Sequence, residues 1–338
     1  MRIGAGLGAE PINTAEREAM KDSFGREISY MRISVTDRCN MRCKYCMPEE
    51  GVENLGHGRI LTFEEIERIV KAAAALGITK FRITGGEPLA RKGIVDLVER
   101  LAKIEGVEEL VMTTNGTLLA NQAEALKNAG LQRVNISIDS LIYHKYEEIT
   151  RGGDLDAAVE GLNAALRIGL KPIKINVVAM EGFNDDEILN FVQLTISHPL
   201  DIRFIELMPV GHAANNSGYR YLSSEEIKRK LPSLIPLNRQ DGVAELYKYP
   251  EAQGTIGFIS PMSRMFCESC DKIRLTADGK LKPCLHTDEE IDLKEILKDS
   301  DDEALKEAIQ NAVLHKGEKH SLNDGAKPVD RSMSQIGG

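Results

Sequence analysis

One unit repeats through the first two-thirds of the chain: an amphipathic helix, a glycine, and an apolar residue that opens a strand. The glycine pairs are Gly77–Ile78, Gly106–Val107, Gly130–Leu131 and Gly169–Leu170. Glycine just past a helix end adopts the left-handed conformation at little cost, so each pair predicts a helix end. Strands that alternate with helices of this length form right-handed βαβ units. The repeat therefore predicts an α/β fold with a parallel sheet.

The helices of this repeat carry a start signal and apolar stripes. Thr62 and Glu65 have the spacing of a capping box, which begins a helix. Apolar residues then recur at intervals of three and four. The stripes are Ile66, Ile69, Val70, Ala73 and Leu76; Ile94, Leu97, Val98 and Leu101; and Leu155, Ala158, Val159, Leu162 and Leu166. Each stripe predicts a helix that covers one face of the sheet.

The strands are predicted near residues 28–35, 79–84, 109–114, 133–139, 174–178 and 202–208. Parallel strands covered on both faces are usually apolar throughout, but several of these alternate. The polar positions are Arg82 and Thr84; Asn135, Ser137 and Asp139; and Lys174 and Asn176. An ordinary barrel has an apolar lumen, so this pattern predicts a partial (β/α)6 TIM-like barrel around a large polar ligand. The alternative is a half-solvated sheet.

The pattern changes after about Pro209. A short helix at 223–230, antiparallel strands around 244–259 and a hairpin turning at Ala277-Asp278-Gly279 predict a small α+β cap. The expected organisation is a flexible leader (1–19), a partial barrel (20–210) and a C-terminal cluster-binding cap with a glycine-ended tail (211–338). The leader has no apolar segment of the kind found in secretory signals.

The overall charge excludes some classes of partner. A formal net charge of −9 and a pI near 5.5 disfavour a nucleic-acid-coating surface. The sequence contains no run of 18 apolar residues, so no membrane partner is expected. We therefore expect a cytoplasmic protein, in which cysteines remain reduced and act as ligands or catalysts.

Six cysteines fall into two groups of three. Cys39, Cys43 and Cys46 form a C-x₃-C-x₂-C run directly after the first predicted strand, with Tyr45 before the last cysteine. Closely spaced thiolates hold iron–sulfur clusters, and three of them leave one iron of a four-iron cluster open. The second group is Cys267, Cys270 and Cys284. By spacing alone this group fits an iron–sulfur cluster or a zinc site equally, with His286 as a candidate fourth zinc ligand.

Several motifs carry a resemblance to a known family. The 39–46 run resembles the signature of radical S-adenosylmethionine (SAM) enzymes, and Thr84-Gly85-Gly86-Glu87-Pro88 looks like their glycine-rich motif. The segments 32–39, 203–208 and 273–280, with the Gly337-Gly338 ending, resemble the molybdenum-cofactor protein A family, the GTP 3′,8-cyclases. The resemblance extends over residues 20–338. The chain lacks a Walker motif, so its nucleotide would not bind a P-loop.

The resemblance implies a reaction and its cofactors. Two [4Fe-4S] clusters and SAM would serve the cyclisation of GTP, the first step of molybdenum cofactor biosynthesis. The first cluster would cleave SAM, the 5′-deoxyadenosyl radical would take the 3′ hydrogen of GTP, and the carbon radical would close onto C8. An electron donor such as a flavodoxin or ferredoxin and a downstream pterin-forming enzyme are implied as partners, and a homodimer is left open.

The resemblance also assigns residues by position. The implied catalytic residues are Cys39, Cys43, Cys46 and Arg274. The implied SAM contacts are Tyr45, Gly86, Ser137 and Met208. The implied GTP contacts are Arg32, Arg82, Thr113, Lys174, Lys272, Ile273, Arg274, Gly337 and Gly338, with the tail entering the site as a flexible strand. Cys267, Cys270 and Cys284 would bind the second cluster, which would hold the guanine.

The residues themselves supply reasons and alternatives. Gly86 has no side chain, which lets the backbone approach a ligand closely. A basic side chain that faces into a barrel is costly unless an anion pairs with it, and a triphosphate is such an anion. The alternative is internal pairing with Asp139 or Glu206. Lys272 departs from the family, where arginine is usual, and lysine lacks the planar fork of arginine.

Two other functions compete with this one. A different radical SAM enzyme, such as a peptide maturase with an auxiliary cluster, would require a peptide groove and often further cysteines. A non-catalytic iron–sulfur or zinc protein would need neither an open iron nor a polar lumen. The leader at 1–19 is expected to be dispensable or a mis-assigned start, because Met20 begins the family-like segment.

Overall fold

The computed structural model describes residues 19–53, 55–56, 58–212, 218–299, 301–320, 329 and 331–337. Nearly all of the expected leader, and Gly338, lie outside the described residues.

Six parallel strands form the centre of the fold. They are β1 (Tyr30–Ser34), β2 (Lys80–Thr84), β3 (Glu109–Thr114), β4 (Arg133–Ser137), β5 (Ile173–Glu181) and β6 (Leu200–Glu206). They lie side by side in chain order, and every neighbouring pair is parallel. Since β1 and β6 do not pair with each other in this order, the barrel is open. This arrangement confirms the predicted partial barrel.

Helices alternate with these strands as the repeat predicts. They are α1 (Phe63–Ala75), α2 (Ile94–Ala102), α3 (Ala123–Asn128), α4 (Tyr143–Thr150), α5 (Leu155–Ile168) and α6 (Ile188–Ser197). Thr62 and Glu65 form the predicted capping box. Gly77, Gly130 and Gly169 have positive φ within two residues of the ends of α1, α3 and α5, which confirms their predicted role as helix stops. Gly106 also has positive φ, but it lies in a turn four residues past the end of α2, so it does not end that helix. Val159 was predicted to be in the apolar stripe but is 37% exposed, because it lies at the edge of the buried face.

The described part of the C-terminal segment forms seven strands and four α-helices. The strands are β7 (Arg220–Tyr221), β8 (Ile235–Asp241), β9 (Ala244–Lys248), β10 (Ile256–Ile259), β11 (Lys272–Leu275), β12 (Lys280–Lys282) and β13 (Ile291–Asp292). The helices are α7 (Ser224–Arg229), α8 (Leu293–Ile296), α9 (Asp302–Leu314) and α10 (Met333–Ile336). The predicted short helix, antiparallel strands and hairpin are therefore present.

The C-terminal strands extend the barrel sheet at both of its edges. β11 pairs in parallel with β1, and β10 pairs in parallel with β6. The sheet order is β13-β12-β11-β1-β2-β3-β4-β5-β6-β10-β9-β8. The open barrel would otherwise expose two edges with unpaired backbone groups. This pairing brings the second cysteine group beside β1, whose C-terminal end leads to the first group.

Apolar side chains fill the space between the sheet and the helices, and polar ones face the lumen. Arg82 and Lys174 are only 6% and 7% exposed, which contradicts the half-solvated alternative. In the part of the chain that the structure describes, every helix is too short or too polar to cross a bilayer.

Candidate functional site

The lumen contains a cavity of about 420 Å³ that all six cysteines line. The predicted polar residues of β2, β4 and β5 also line it, namely Arg82, Thr84, Asn135, Ser137, Lys174 and Asn176. The two cysteine groups, which are more than 200 residues apart in sequence, therefore share one cavity.

Three arginines form a row across adjacent strands. Arg32 on β1 is in register with Arg82 on β2 and with Arg274 on β11. The neighbouring row in the same three strands is Lys80, Tyr30 and Lys272. Side chains in register on one sheet face are close enough to interact, and like charges there are destabilising. The site therefore concentrates positive charge in an enclosed space within a chain whose net charge is negative.

The electrostatics of this row favour an anion. Burial, followed by repulsion from Arg274, holds the pKa of Arg32 well below its ordinary value. Burial also lowers the pKa of Arg274. Burial alone would raise the pKa of Tyr30, yet the nearby Arg82 and other cations lower it overall. A bound polyanion would relieve the repulsion and offset the cost of burying these charges.

Tyr30 positions two of the cations. Arg82 donates hydrogen bonds from Nε to the Tyr30 hydroxyl and from Nη1 to Thr113 Oγ1, the latter over 2.9 Å. The ammonium of Lys272 lies 5.2 Å from the Tyr30 ring centroid and 2.5 Å from Asp271 Oδ1. Neither Asp139 nor Glu206, the acids considered as internal partners, takes part in these contacts of Arg82 and Lys272.

The first cysteine group lies on the loop that follows β1. The Cys46 amide donates to the Cys43 carbonyl over 2.9 Å, which folds the loop into a tight turn. Burial raises the pKa of Cys39 to about 11 and of Cys46 to about 12, and raises that of Cys43 well above its ordinary value. Thiols in this environment remain protonated unless a positive centre binds them, as a metal does.

The glycine-rich loop after β2 packs on the backbone of the cysteine loop. The Gly86 amide donates to the Thr36 carbonyl over 2.7 Å. A Cβ at Gly86 would lie 2.3 Å from the Arg38 carbonyl oxygen. Gly86 also lines the cavity. The structure thus adds a second reason for this glycine, the close approach of two protein backbones.

Two buried carboxyl groups organise this end of the cavity. Glu87 accepts hydrogen bonds from the amides of Leu89 and Asn115, over 3.0 and 2.8 Å, and burial raises its pKa to about 7. Asp139 accepts from the Tyr45 hydroxyl over 2.7 Å, and burial raises its pKa to about 6. Each carboxyl group connects a loop near the cysteines to a neighbouring strand.

The second cysteine group is braced by two cations distant in sequence. Arg26 Nη1 donates to the carbonyl oxygens of Cys267 and Glu318, over 2.8 and 2.9 Å. The ammonium of Lys316 donates to the carbonyl oxygens of Lys272 and Pro283, over 2.9 and 2.5 Å. Together they hold the backbone next to all three cysteines, since Lys272 follows Cys270 and Pro283 precedes Cys284.

The donor sets fit iron–sulfur clusters. All six cysteines are free thiols and each group converges on the cavity. Within the described ranges, no three Cys, His, Asp or Glu side chains are grouped to hold a single metal ion. A cluster needs three thiolates that face one space, because each of them binds a different iron. His286, the candidate zinc ligand, lies 4.7 Å from the ring of His320, and burial lowers its pKa to about 3.

The C-terminal tail reaches the arginine row. The Gly337 carbonyl oxygen accepts from Arg274 Nη1 over 3.0 Å and from Arg32 Nε over 3.3 Å. The residues before it form helix α10 rather than the expected strand, because Ser332 and Gln335 make a capping box. The backbone amide of Ser334 also donates a hydrogen bond to the Cys46 thiol. The tail therefore contacts both the arginine row and the first cysteine group.

Most of the residues predicted from sequence are brought together. The predicted residues that line the cavity are Arg32, Cys39, Cys43, Tyr45, Cys46, Arg82, Gly86, Thr113, Ser137, Lys174, Met208, Cys267, Cys270, Lys272, Arg274 and Cys284. Ile273 differs, because its side chain is fully buried in the core beneath β11. Only its backbone remains available to a ligand.

Sequence reasoning missed several residues that line the cavity. Tyr30 and Lys80 lie two positions before predicted site residues on the same strand faces, so strand alternation was a usable signal. Lys316 and His320 also line the cavity but follow α9, far from any recognised motif. No local pattern in the sequence indicates them.

Comparison with known proteins agrees with the geometry. Residues 33–195 match the radical SAM superfamily model, and residues 200–322 match the model described as Molybdenum Cofactor Synthesis C. A GTP 3′,8-cyclase of Alkaliphilus oremlandii is 52% identical over 321 residues, covering 94% of this chain and 100% of the relative. A GTP 3′,8-cyclase of Pelotomaculum thermopropionicum is 49% identical, with coverages of 94% and 100%.

Solved structures share the fold at low sequence identity. Streptococcus suis SuiB, crystallised with S-adenosylmethionine, superposes with a TM-score of 0.61 at 15% identity. The match covers 91% of this chain and 77% of that protein. The structural likeness is evidence for the fold alone, whereas the full-length sequence relatives distinguish this chain from a peptide maturase. The chain belongs to the GTP 3′,8-cyclase family of the radical SAM superfamily.

Proposed function

We propose that this chain cyclises GTP to (8S)-3′,8-cyclo-7,8-dihydroguanosine 5′-triphosphate, the first step of molybdenum cofactor biosynthesis. The observation that carries the proposal is the arginine row in a cavity lined by both cysteine groups. A polyanionic substrate and two redox-active centres can meet in such a cavity. The full-length relatives named GTP 3′,8-cyclase support the same reaction.

The cofactors are two [4Fe-4S] clusters and SAM. When bound, the first cluster and SAM supply the 5′-deoxyadenosyl radical that takes the 3′ hydrogen of GTP. Cys39, Cys43 and Cys46 would hold the first cluster, and Cys267, Cys270 and Cys284 the second. The position of both groups supports this role, because all six cysteines are free and line one cavity.

The SAM end of the cavity would be formed by Tyr45, Gly86, Ser137 and Met208. The hydrogen bond from Tyr45 to Asp139 holds the cysteine loop against the end of β4. The Gly86 contacts hold the same loop against β2. The role of these residues is to orient the bound molecule and exclude water, because a radical reaction requires a positioned partner.

The arginine row would bind the triphosphate. Arg32, Arg82 and Arg274 present planar guanidinium groups, which suit paired hydrogen bonds to phosphate oxygens. Lys174, Lys272 and Thr113 border the same cavity and would complete the site. The Ile273 backbone lies between two of these cations and would contribute through its main chain. Gly337 and Gly338 would lie beside the nucleotide.

The direct test is anaerobic incubation of the cluster-loaded protein with SAM, a reductant and GTP. Formation of 5′-deoxyadenosine and a cyclised nucleotide is the expected result, and both should disappear in Cys39→Ala. ATP in place of GTP is the matched substrate control. Formation of 5′-deoxyadenosine without any cyclised guanine nucleotide, at full iron content, would contradict the proposal.

The remaining partners follow from the same reaction. An electron donor such as a flavodoxin or ferredoxin would reduce the first cluster, and a pterin-forming enzyme would take the product. Six free thiols at ligand positions require a reducing compartment, which supports a cytoplasmic location.

A further inference from the structure

A clamp of three charged side chains fastens the C-terminal segment to the β11–β12 hairpin. Arg331 donates to both carboxylate oxygens of Asp278, from Nη1 over 3.2 Å and from Nη2 over 3.1 Å. Its Nη2 also donates to Glu290 Oε2 over 2.7 Å, and its Nε lies 2.6 Å from Glu290 Oε1. The guanidinium is thus held between two carboxylates, a geometry that orients as well as attracts.

The two acids of the clamp lie on either side of Cys284 in sequence. Asp278 is in the turn of the hairpin, where its Oδ1 also accepts from Thr276 Oγ1 over 2.6 Å. Glu290 also pairs with Lys282 over 3.2 Å, and the Lys282 side chain is fully buried. The tail is therefore attached to the segment that carries the third cysteine of the second group.

Apolar side chains form a seat for α10. Val210, Val329 and Ile336 form a small buried cluster that is separate from the main core. Met208, Leu285 and Met333 pack against it. The seat joins the residues that follow β6 to the tail, so α10 is held by apolar contacts in addition to the clamp.

Gly211 allows the tail to approach this closely. Its amide donates to the Val329 carbonyl over 3.1 Å. A Cβ at Gly211 would lie 2.6 Å from the Arg331 carbonyl oxygen and 2.8 Å from Ser332 Cα. The backbone of the tail therefore occupies the space that a side chain at position 211 would fill.

We propose that Arg331 is a positioning residue, and that its clamp with Asp278 and Glu290 seats α10 so that the Gly337 carbonyl reaches Arg32 and Arg274. Five residues separate Arg331 from Gly337, and the capped helix between them transmits the position of the clamp with little freedom. Its effect on cyclisation rests on the proposed function, whereas the seating of the tail does not.

The test compares Arg331→Met, Arg331→Lys and Asp278→Asn in the cluster-loaded protein. Hydrogen exchange of residues 331–337 should accelerate in Arg331→Met and Asp278→Asn while exchange in β1 to β6 is unchanged. Cyclisation kcat should fall on the order of 100-fold, since small misplacements of a site carry costs of that size. Arg331→Lys should give intermediate values, because it keeps the charge and loses the fork. The double variant should be no worse than Arg331→Met, since Asp278→Asn weakens only one of the two ion pairs that Arg331→Met already removes.

Arg68→Met is the matched control. Arg68 also connects the barrel to the C-terminal segment, through Asp302 over 2.8 Å and the Leu297 carbonyl over 3.2 Å, and it lies on α1 outside the tail contacts. It should leave tail exchange and kcat unchanged. Unchanged exchange at 331–337 in both Arg331→Met and Asp278→Asn would overturn the proposal, and so would equal acceleration in Arg68→Met. If the wild-type protein fails to cyclise GTP, the proposed function fails, while the exchange result still decides the clamp.

Discussion

Arg274 Nη1 donates a hydrogen bond over 3.0 Å to the carbonyl oxygen of Gly337, so one cation of the lumen is in direct contact with the tail. Gly337 has φ of 81°, in the left-handed region that favours glycine. A Cβ there would lie 2.3 Å from Thr84 Oγ1. The tail can therefore reach the arginine row only if this position has no side chain.

Gly337→Ala, and removal of Gly337 and Gly338, should each greatly reduce cyclisation. We expect a loss of at least about 100-fold in kcat, because the contact with the arginine row is displaced. Iron content and the thermal melting temperature should not change. Gly56→Ala is the control, since a Cβ at Gly56 meets nothing within 4 Å. Full activity of the truncated protein would show that the tail contact is incidental.

Mutations in the two cysteine groups should have different effects. Cys39→Ala should abolish 5′-deoxyadenosine formation with or without GTP, because the first cluster is the proposed electron route into SAM. Cys284→Ala should lose about half the iron and all cyclisation, yet still cleave some SAM, since cofactor ligation and substrate positioning are separate functions. Product assays and iron analysis of anaerobically purified protein provide the measurement.

Neither cysteine variant should unfold the barrel, which circular dichroism can check. Equal and complete loss of SAM cleavage in both variants, with the first cluster spectroscopically intact, would refute the division. Stoichiometric zinc at the second site would refute it as well.

Arg26 should be required for the second cluster, whereas the leader at 1–19 should be dispensable. Arg26→Gln removes the hydrogen bonds to the Cys267 and Glu318 carbonyls and leaves Asp22 buried without its ion pair. We expect selective loss of the second cluster, measured as about half the wild-type iron with the SAM-cleaving cluster intact.

Deletion of residues 1–19 should retain full iron and activity. Loss of activity in that deletion, with clusters intact, would contradict the prediction for the leader.

Glu87 should make stability depend on pH. Burial raises its pKa from 4.5 to about 7, so the folded state binds this proton more tightly than the unfolded state does. Its contribution is largest below about pH 4.5 and is lost as the pH rises through about 7, with a size on the order of 3 kcal/mol. Glu87→Gln should flatten the free energy of unfolding over that window in denaturant titrations of the iron-free chain. Glu187→Gln is the control, because Glu187 is also a buried carboxylate, only 1% exposed. If the free energy of unfolding depends on pH in Glu87→Gln as it does in the wild type, Glu87 is not the group responsible.

Lys272→Arg should strengthen GTP binding. Lys272 borders the cavity as a point charge held by Asp271, whereas arginine would add a planar fork. One further hydrogen bond contributes about 1 kcal/mol net, so the KM for GTP should fall about fivefold with little change in kcat. Lys71→Arg, at an exposed pair with Glu67, is the control. A higher KM for GTP in Lys272→Arg would contradict the prediction and would show that the pocket accommodates lysine better than arginine.

Local interactions explain why much of the fold could be predicted. The glycine stops, the Thr62 capping box and the alternation of β2, β4 and β5 depend on neighbours within four residues or on one strand face. The closely spaced cysteines likewise indicate their own chemistry. These features determined the partial barrel, its polar lumen and the candidate ligands, and the family resemblance added residue roles to them.

Only the tertiary structure decided how the C-terminal segment meets the barrel. The pairing of β11 with β1 aligns Arg274 with Arg32, and no sequence spacing encodes a register between strands more than 200 residues apart. Arg26 and Lys316 bind backbone carbonyl groups, which every residue possesses, so their partners leave no mark in the sequence. The clamp at Arg331 likewise depends on tertiary packing, which places Asp278 and Glu290 next to a residue that is distant in sequence. Sequence determined the elements and their chemistry, because both follow from local patterns, whereas long-range packing determined which charges share one cavity.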